Sequence, residues 1–133
     1  MSIIANHPKF LRTVLLVDAA TCVVTGLLMT LAAGFLADLT QLPPELLRSA
    51  GLSLFPIAAF IAFVATRPVL PRTGVWLVIV GNAIWVGASL GVLIGGTISP
   101  NVFGYAFVAG QALAVAVLAE LEFTGVRKLG SPA

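Results

Sequence analysis

Four long apolar stretches, separated by short polar turns, make up most of this chain. They run over Leu11–Leu36, Leu46–Thr66, Val75–Ile94 and Phe103–Phe123. A transmembrane helix needs about 20 apolar residues to cross the hydrocarbon core of a bilayer, and each stretch is long enough. The pattern therefore predicts an all-α fold: a bundle of four transmembrane helices arranged as two consecutive helical hairpins.

Prolines and a glycine mark where these helices begin, bend and end. Pro44 suits the first turn of the second helix, and Pro68 predicts its end, because the residue before a proline disfavours the helical region. Pro56 falls inside the second stretch and predicts a kink at a helix-packing position. Gly125 is predicted to cap the C-terminus of the fourth helix.

The composition points to a membrane protein. Of the 133 residues, 59% are hydrophobic and 9% are charged, whereas about 25% are charged in a typical soluble domain. We expect one transmembrane domain over residues 1–133, surrounded by the lipid bilayer and without an extramembrane domain. The formal net charge of +2 is too small for a nucleic-acid-binding surface.

The basic residues are distributed unevenly among the loops. Between them, the first and third loops carry only Arg48, while the two tails and the second loop carry Lys9, Arg12, Arg67, Arg72, Arg127 and Lys128. The positive-inside rule then places both termini in the cytoplasm. A cleaved signal peptide is the alternative for the first stretch, but this stretch is longer than a signal core and is interrupted by Asp18.

Residues that commonly hold cofactors or carry out catalysis are scarce. Cys22 is the one cysteine and His7 the one histidine, which excludes an intramolecular disulfide, a four-thiolate metal site and a bis-histidine haem. His7 lies between Asn6 and Pro8, which predict the start of the first helix. Without a visible nucleophile–base pair or phosphate-binding loop, we expect no enzyme, no cofactor and no metal.

Three polar residues, Asp18, Asn82 and Glu120, fall at a similar depth, roughly 10 Å from the cytoplasmic ends of their helices. A charge inside the membrane costs about 2.5–3.5 kcal/mol on insertion scales, so we expect these side chains to face the bundle interior. On the first helix, Thr21, Cys22 and Thr25 share the face of Asp18, and on the third, Trp85 and Ser89 share that of Asn82.

Asp18 has two possible states. It is either protonated and donates to an oxygen, or ionised with Asn82, Thr21 or water as donors; if it lies near Glu120, the two carboxyls could share a proton. Arg12 is nearly opposite on the helical wheel. Three interpretations remain open: a proton-linked or cation-binding site, a buried network that fixes helix register, and a contact with a partner subunit.

Other polar and aromatic residues carry weaker expectations. Glu122 is expected to be a solvated charge near the headgroups, and Gln111, on the same face, to form a helix–helix hydrogen bond or contact a ligand. Trp76 suits the interfacial aromatic belt. Trp85 lies deeper and is interpreted as core packing or as the wall of a small pocket.

The third apolar stretch carries small residues at strict four-residue spacing: Ala83, Gly87, Gly91 and Gly95. Such a stripe lets another helix approach closely. It predicts packing against a helix of the same chain or, alternatively, an interface with a second copy or a larger membrane complex. Ala106, Gly110 and Ala114 form a similar stripe on the fourth stretch, and the two stripes could face each other.

Several short motifs carry a resemblance to a known group. They are the run from Leu47 to Leu52, Pro56, the run from Ala65 to Pro68, and the run from Gly81 to Trp85. With these the chain resembles small bacterial four-span integral membrane proteins, which implies a four-helix protein of the bacterial inner membrane and no particular activity. Small multidrug transporters are similar in size and have an acidic residue in the first helix, but a glutamate where this chain has Asp18.

Two functions follow from these observations. The first is a non-enzymatic accessory, assembly or interaction subunit, which fits the small-residue stripe and the missing catalytic groups. The alternative is a proton-linked transporter or binder of a small hydrophobic or cationic molecule that uses Asp18, Asn82 and Glu120.

Overall fold

The computed structural model describes residues 9–128, so the expected helix start at Asn6 and Pro8, and His7 between them, lie outside the described residues. Within these residues, five helices follow one another: α1 (Phe10–Leu31), α2 (Ala33–Thr40), α3 (Pro44–Ala65), α4 (Arg72–Ile94) and α5 (Val102–Lys128). Four of them, all except α2, are long and apolar enough to cross a membrane. The chain is a multi-pass membrane protein, and the expected all-α bundle of four transmembrane helices is confirmed.

The first apolar stretch forms two helices instead of one. The backbone leaves the helical conformation at Ala32 (φ −108°, ψ 23°), so α1 ends at Leu31 and the short α2 begins at Ala33. The first transmembrane helix was expected to continue to Leu36, and this predicted end is wrong because the helix ends at Leu31. α2 ends at Thr40, and the left-handed backbone of the next residue, Gln41 (φ 60°), turns the chain towards α3.

Helices α1 and α3 cross at two glycines. A Cβ atom on Gly51 would lie 2.9 Å from Cβ of Met29 and 3.1 Å from the carbonyl oxygen of Gly26. The two backbones can approach this closely because neither glycine carries a side chain. This crossing makes α1–α3 the most extensively packed helix pair of the bundle.

Around the bundle, neighbouring helices follow the order α3, α1, α5, α4. α4 packs on α5, and contacts between α1 and α5 join the two hairpins. α3 and α4 make few contacts, although near one end a Cβ atom on Gly74 would lie 2.9 Å from Cγ2 of Val64. We call this loosely packed junction the α3–α4 seam.

One end of the bundle is closed by Leu11 and Arg12. Cδ1 of Leu11 would lie 2.9 Å from a Cβ atom on Gly125. Because Gly125 is inside α5, which continues to Lys128, the expected C-cap at Gly125 is wrong. The guanidinium of Arg12 donates to the carbonyl oxygens of Ala65, of Arg67 (2.8 Å) and of Pro68 (3.3 Å). Because α1 and α4 begin here and α3 and α5 end here, the tail and second-loop basic residues gather at this "basic end".

Asn101 joins the hairpins at the opposite end. Its side-chain nitrogen donates to the carbonyl oxygen of Leu39 (2.8 Å), and its backbone nitrogen donates to that of Thr40 (3.1 Å). Its side-chain oxygen accepts from the backbone nitrogen of Gly104 in the first turn of α5 (2.9 Å). One residue thus satisfies the carbonyls at the end of α2 and caps α5.

The small-residue stripe of α4 does not pack within the chain. A Cβ atom on Gly87 or Gly91 would meet no heavy atom within 4 Å, and the same holds for Gly110 on α5. Ala83 is exposed, and near a Cβ atom on Gly95 lie only backbone atoms of Gly91 of the same helix. The expectations of internal packing and of two stripes facing each other are wrong; the stripe of α4 lies on the outside of the α4–α5 hairpin.

Candidate functional site

Three polar side chains from three helices meet inside the bundle. α1 supplies Asp18, α4 supplies Asn82 and α5 supplies Glu122, with 2%, 7% and 0% of their surfaces exposed. The amide nitrogen of Asn82 donates to Oδ2 of Asp18 and to Oε1 of Glu122, each at 2.9 Å. Both amide hydrogens are used, so a single side chain bridges the two carboxyl groups. We call this pair the acid pair.

The acid pair has room for a shared proton. The carboxyl groups of Asp18 and Glu122 accept from the same nitrogen of Asn82, and Oε2 of Glu122 is buried without a hydrogen-bond partner. Two negative charges this close together would repel strongly in a low-dielectric interior, whereas one proton held by the pair removes one of the two charges. Within residues 9–128, no lysine or arginine forms an ion pair with either carboxyl.

The expected polar layer is therefore correct for two residues and wrong for the third. Asp18 and Asn82 come together as expected, but Glu120 is exposed on the outside of α5. Glu122, expected to be a solvated charge, is instead fully buried. Residues two positions apart point roughly 200° apart around a helix, so only one of these glutamates can face the interior.

A second polar cluster lies further along α4 and α5. The indole nitrogen of Trp85 donates to Oε1 of Gln111 (2.7 Å), whose amide nitrogen donates to Oγ of Ser89 (2.8 Å) and to the carbonyl oxygen of Val108 (2.8 Å). This Gln111 cluster confirms the helix–helix hydrogen bond expected of Gln111. Both amide hydrogens of Gln111 are used, so the cluster fixes α4 against α5.

The acid pair and the Gln111 cluster border the same cavity. It has a volume of about 470 Å³ and is bounded by α1, α3, α4 and α5, which is in the range of small-molecule sites. Its polar wall consists of Asp18, Thr21, Cys22, Thr25, Asn82 and Gln111. Aliphatic and aromatic side chains form the rest, so this central cavity suits a molecule that is mainly apolar and has one polar group.

Cys22, Pro56 and Trp85 also belong to the wall of the central cavity. The thiol of Cys22 lies 3.8 Å from Oδ1 of Asp18, at the distance of a weak hydrogen bond. Pro56 is exposed inside the continuous helix α3 and lines the cavity instead of packing on a neighbouring helix. Trp85 fits its interpretation as a pocket wall.

A smaller cavity of about 150 Å³ lies on the other side of Trp85 and Gln111. It is lined by Met29, Leu47 and Phe107 among others, and it shares the two hydrogen-bonded side chains with the central cavity. Trp85 and Gln111 therefore stand between two spaces that follow one another along the bundle.

The acid pair is the site that the sequence reasoning missed in part. Gln111 and Glu122 are eleven residues apart, three helical turns, and so lie on one face of α5. That spacing was the available signal for Glu122.

Among the described residues, no three His, Cys, Asp or Glu side chains are placed to hold a metal ion. No protein-family model, curated protein or solved structure matches this chain.

Proposed function

We propose that this protein binds a small, mainly apolar molecule with a positively charged amino group in the central cavity, in exchange for a proton of the acid pair. The observation that supports this most is the acid pair itself: two buried carboxyl groups bridged by Asn82, with Asp18 in the cavity wall. A purely structural network would not need a cavity of small-molecule size beside it.

The chemistry follows from charge. An ammonium group within about 4 Å of Asp18 interacts with it strongly because little water screens the charges. Loss of the shared proton raises the charge of the acid pair from −1 to −2, and the ammonium offsets the added negative charge, so cation and proton compete for one site. Binding therefore strengthens as the pH rises and weakens as it falls. The apolar walls hold the rest of the molecule and favour a long or bulky apolar group.

Transport is the fuller form of this function. The two cavities, separated by Trp85 and Gln111, offer successive sites along the bundle. The positive-inside rule places the basic end in the cytoplasm, so the acid pair would exchange its proton in the cytoplasmic half of the membrane. The role is non-enzymatic binding coupled to proton movement.

Bromooctylamine, brominated at the chain end, is a suitable probe, and bromooctanol is its uncharged counterpart. Bromine quenches a nearby tryptophan, and Trp76→Phe leaves Trp85 as the one tryptophan, since the chain has two. In lipid vesicles, bromooctylamine should quench Trp85 saturably and bromooctanol should not. Glu122→Gln should weaken amine binding roughly tenfold and lessen its pH dependence, because one of the two carboxyl groups that hold the exchangeable proton is gone.

Glu120→Gln is the matched control, because it changes the same type of residue two positions away on the exposed side of α5. It should bind bromooctylamine as the parent does. Equal losses in both variants, or equal binding of the alcohol and the amine, would contradict the proposal. Circular dichroism and gel filtration of each variant report whether it is folded.

A second candidate function rests on the outside of the α4–α5 hairpin. Glu120 is exposed there beside Ala83, and a carboxylate facing lipid is costly. With Gly87 and Gly91 open to close approach, a second copy or a partner subunit could cover this face. Native mass spectrometry of gently extracted protein would then detect the companion chain, and Gly91→Leu should remove it without changing bromooctylamine binding.

A further inference from the structure

We propose that the ligand enters the central cavity sideways from the hydrocarbon region of the membrane, through the α3–α4 seam. Its substrate class is then a membrane-dissolved lipophilic amine, not a water-soluble cation. This inference rests on the proposed function and adds to it the source and the shape of the ligand.

The cavity reaches the outer surface of the bundle at this seam. Ile57 and Phe60 of α3 and Leu77 of α4 line the cavity and are also exposed, at 37%, 40% and 57% of their surfaces. Gly81 of α4 lines it as well, and a Cβ atom there would meet no heavy atom within 4 Å. The four residues are apolar, so the mouth that they form matches lipid chains and does not suit water.

The other junctions between neighbouring helices are closed by direct packing. α1 contacts α3 at Gly26 and Gly51. α1 also contacts α5, because Leu11 packs against Gly125. The Gln111 cluster holds α4 against α5. The α3–α4 seam is the junction with the fewest contacts among these neighbours.

The route from water at the basic end is filled by apolar side chains. Leu15 of α1, Val64 of α3 and Val75 of α4 are buried, and their positions along the helices lie between the basic end and the acid pair. Arg12 covers this end further by donating to the carbonyls that follow α3. A charged, water-soluble molecule would have to displace this packing to reach Asp18.

The distribution of polar groups sets the orientation of the ligand. Asp18 and Asn82 lie at the inner wall and the apolar residues at the mouth. The amino group therefore points to the acid pair, while the chain lies along the apolar wall, which includes Trp85, in the direction of the seam. An alkyl amine longer than the cavity can still bind, because its end remains in the bilayer.

Gly81→Leu tests the entry route because its side chain would occupy the open mouth. In the Trp76→Phe background, stopped-flow quenching of Trp85 by bromooctylamine in vesicles gives association and dissociation rates. Both rates should fall roughly tenfold in Gly81→Leu, with a much smaller change in the dissociation constant, because an obstructed mouth slows both directions. Gly87→Leu, on the same helix and also in open space, should keep the parent rates.

Unchanged rates in Gly81→Leu would overturn entry through the seam. So would a raised dissociation constant with an unchanged association rate, since the leucine would then only be filling the cavity. In both cases Glu122-dependent binding would leave the proposed function standing, whereas no saturable quenching in the parent would end both proposals. If Gly81→Leu does not fold, Ile57→Trp is the second variant, because its larger side chain obstructs the mouth from α3; proton release on binding of bromooctylamine should slow in it as well.

Discussion

The two sides of the α4–α5 hairpin differ although their residues are neighbours in the sequence. Asn82 and Gln111 face inwards and make five hydrogen bonds in all. Ala83 and Gly110, each one position away, are exposed on the outside. On the inner side, specific hydrogen bonds hold α4 against α5, and the one from Asn82 to Asp18 ties the hairpin to α1, while the smooth outer side contributes little to folding.

This division has a physical reason. Lipid chains are as apolar as leucine, so burying an apolar side chain between helices gains little in a membrane. Hydrogen bonds between helices contribute about 0.6 kcal/mol each on average and up to about 1.7 kcal/mol. The inner side should therefore respond to single substitutions much more strongly than the outer side.

The largest effect is expected for Asn82→Leu. It removes both hydrogen bonds that bridge the acid pair and leaves two buried carboxyl groups without their common donor. We expect the free energy of unfolding to fall by about 2–3 kcal/mol. Ala83→Leu, the neighbouring change on the outside, should alter it by less than about 0.5 kcal/mol. Reversible unfolding in mixed micelles, followed by circular dichroism, measures both; similar losses would remove the distinction between the two sides.

A smaller effect is expected for Gln111→Leu. The indole nitrogen of Trp85 loses its acceptor and Ser89 loses a donor, which should lower the free energy of unfolding by about 1–2 kcal/mol. The fluorescence of Trp85 should change as well, because the indole nitrogen no longer donates. Gly110→Leu is the matched outer control and should leave both quantities nearly unchanged; a fluorescence change in this control would show that α5 has shifted.

The smallest effect is expected for Gly91→Leu, which places a side chain in open space. The free energy of unfolding of the monomer should change by less than about 0.5 kcal/mol. Gly51→Leu is the positive control, because its Cβ atom would meet Met29 at 2.9 Å, and overpacking of this kind costs about 1–3 kcal/mol. A Gly91→Leu loss as large as that of Gly51→Leu would mean that another helix covers the outer side.

Hydropathy and turn residues predict the four long helices well because both are local properties of the chain. That Asp18 and Asn82 lie at the same level of the bundle follows from counting residues along each helix, and their hydrogen bond confirms it. The direction of Glu120 and Glu122 does not follow from depth. It depends on rotation about the helix axis, which only the spacing to Gln111 indicated.

The glycines show the same limit. These helices are apolar on nearly every side, so no hydrophobic stripe identifies the face that packs. The regular spacing of Gly87 and Gly91 suggested a contact that α4 does not make, while the isolated Gly26 and Gly51 form the closest crossing. Which glycines meet is decided by how whole helices pair, and a single chain segment does not contain that information.

The contact between Gly74 and Val64 at the basic end has a mechanical consequence. It makes the α3–α4 seam a wedge whose narrow end is held at Gly74, while the Gln111 cluster holds α4 against α5 further along the helix. The mouth at Gly81 lies on the roughly 16 Å of helix between Gly74 and Trp85, so a small outward bend of this short segment widens the mouth without loosening the basic end. Lateral pressure in the bilayer acts directly on this segment, so we expect membranes of different packing tension to change how readily the cavity is reached.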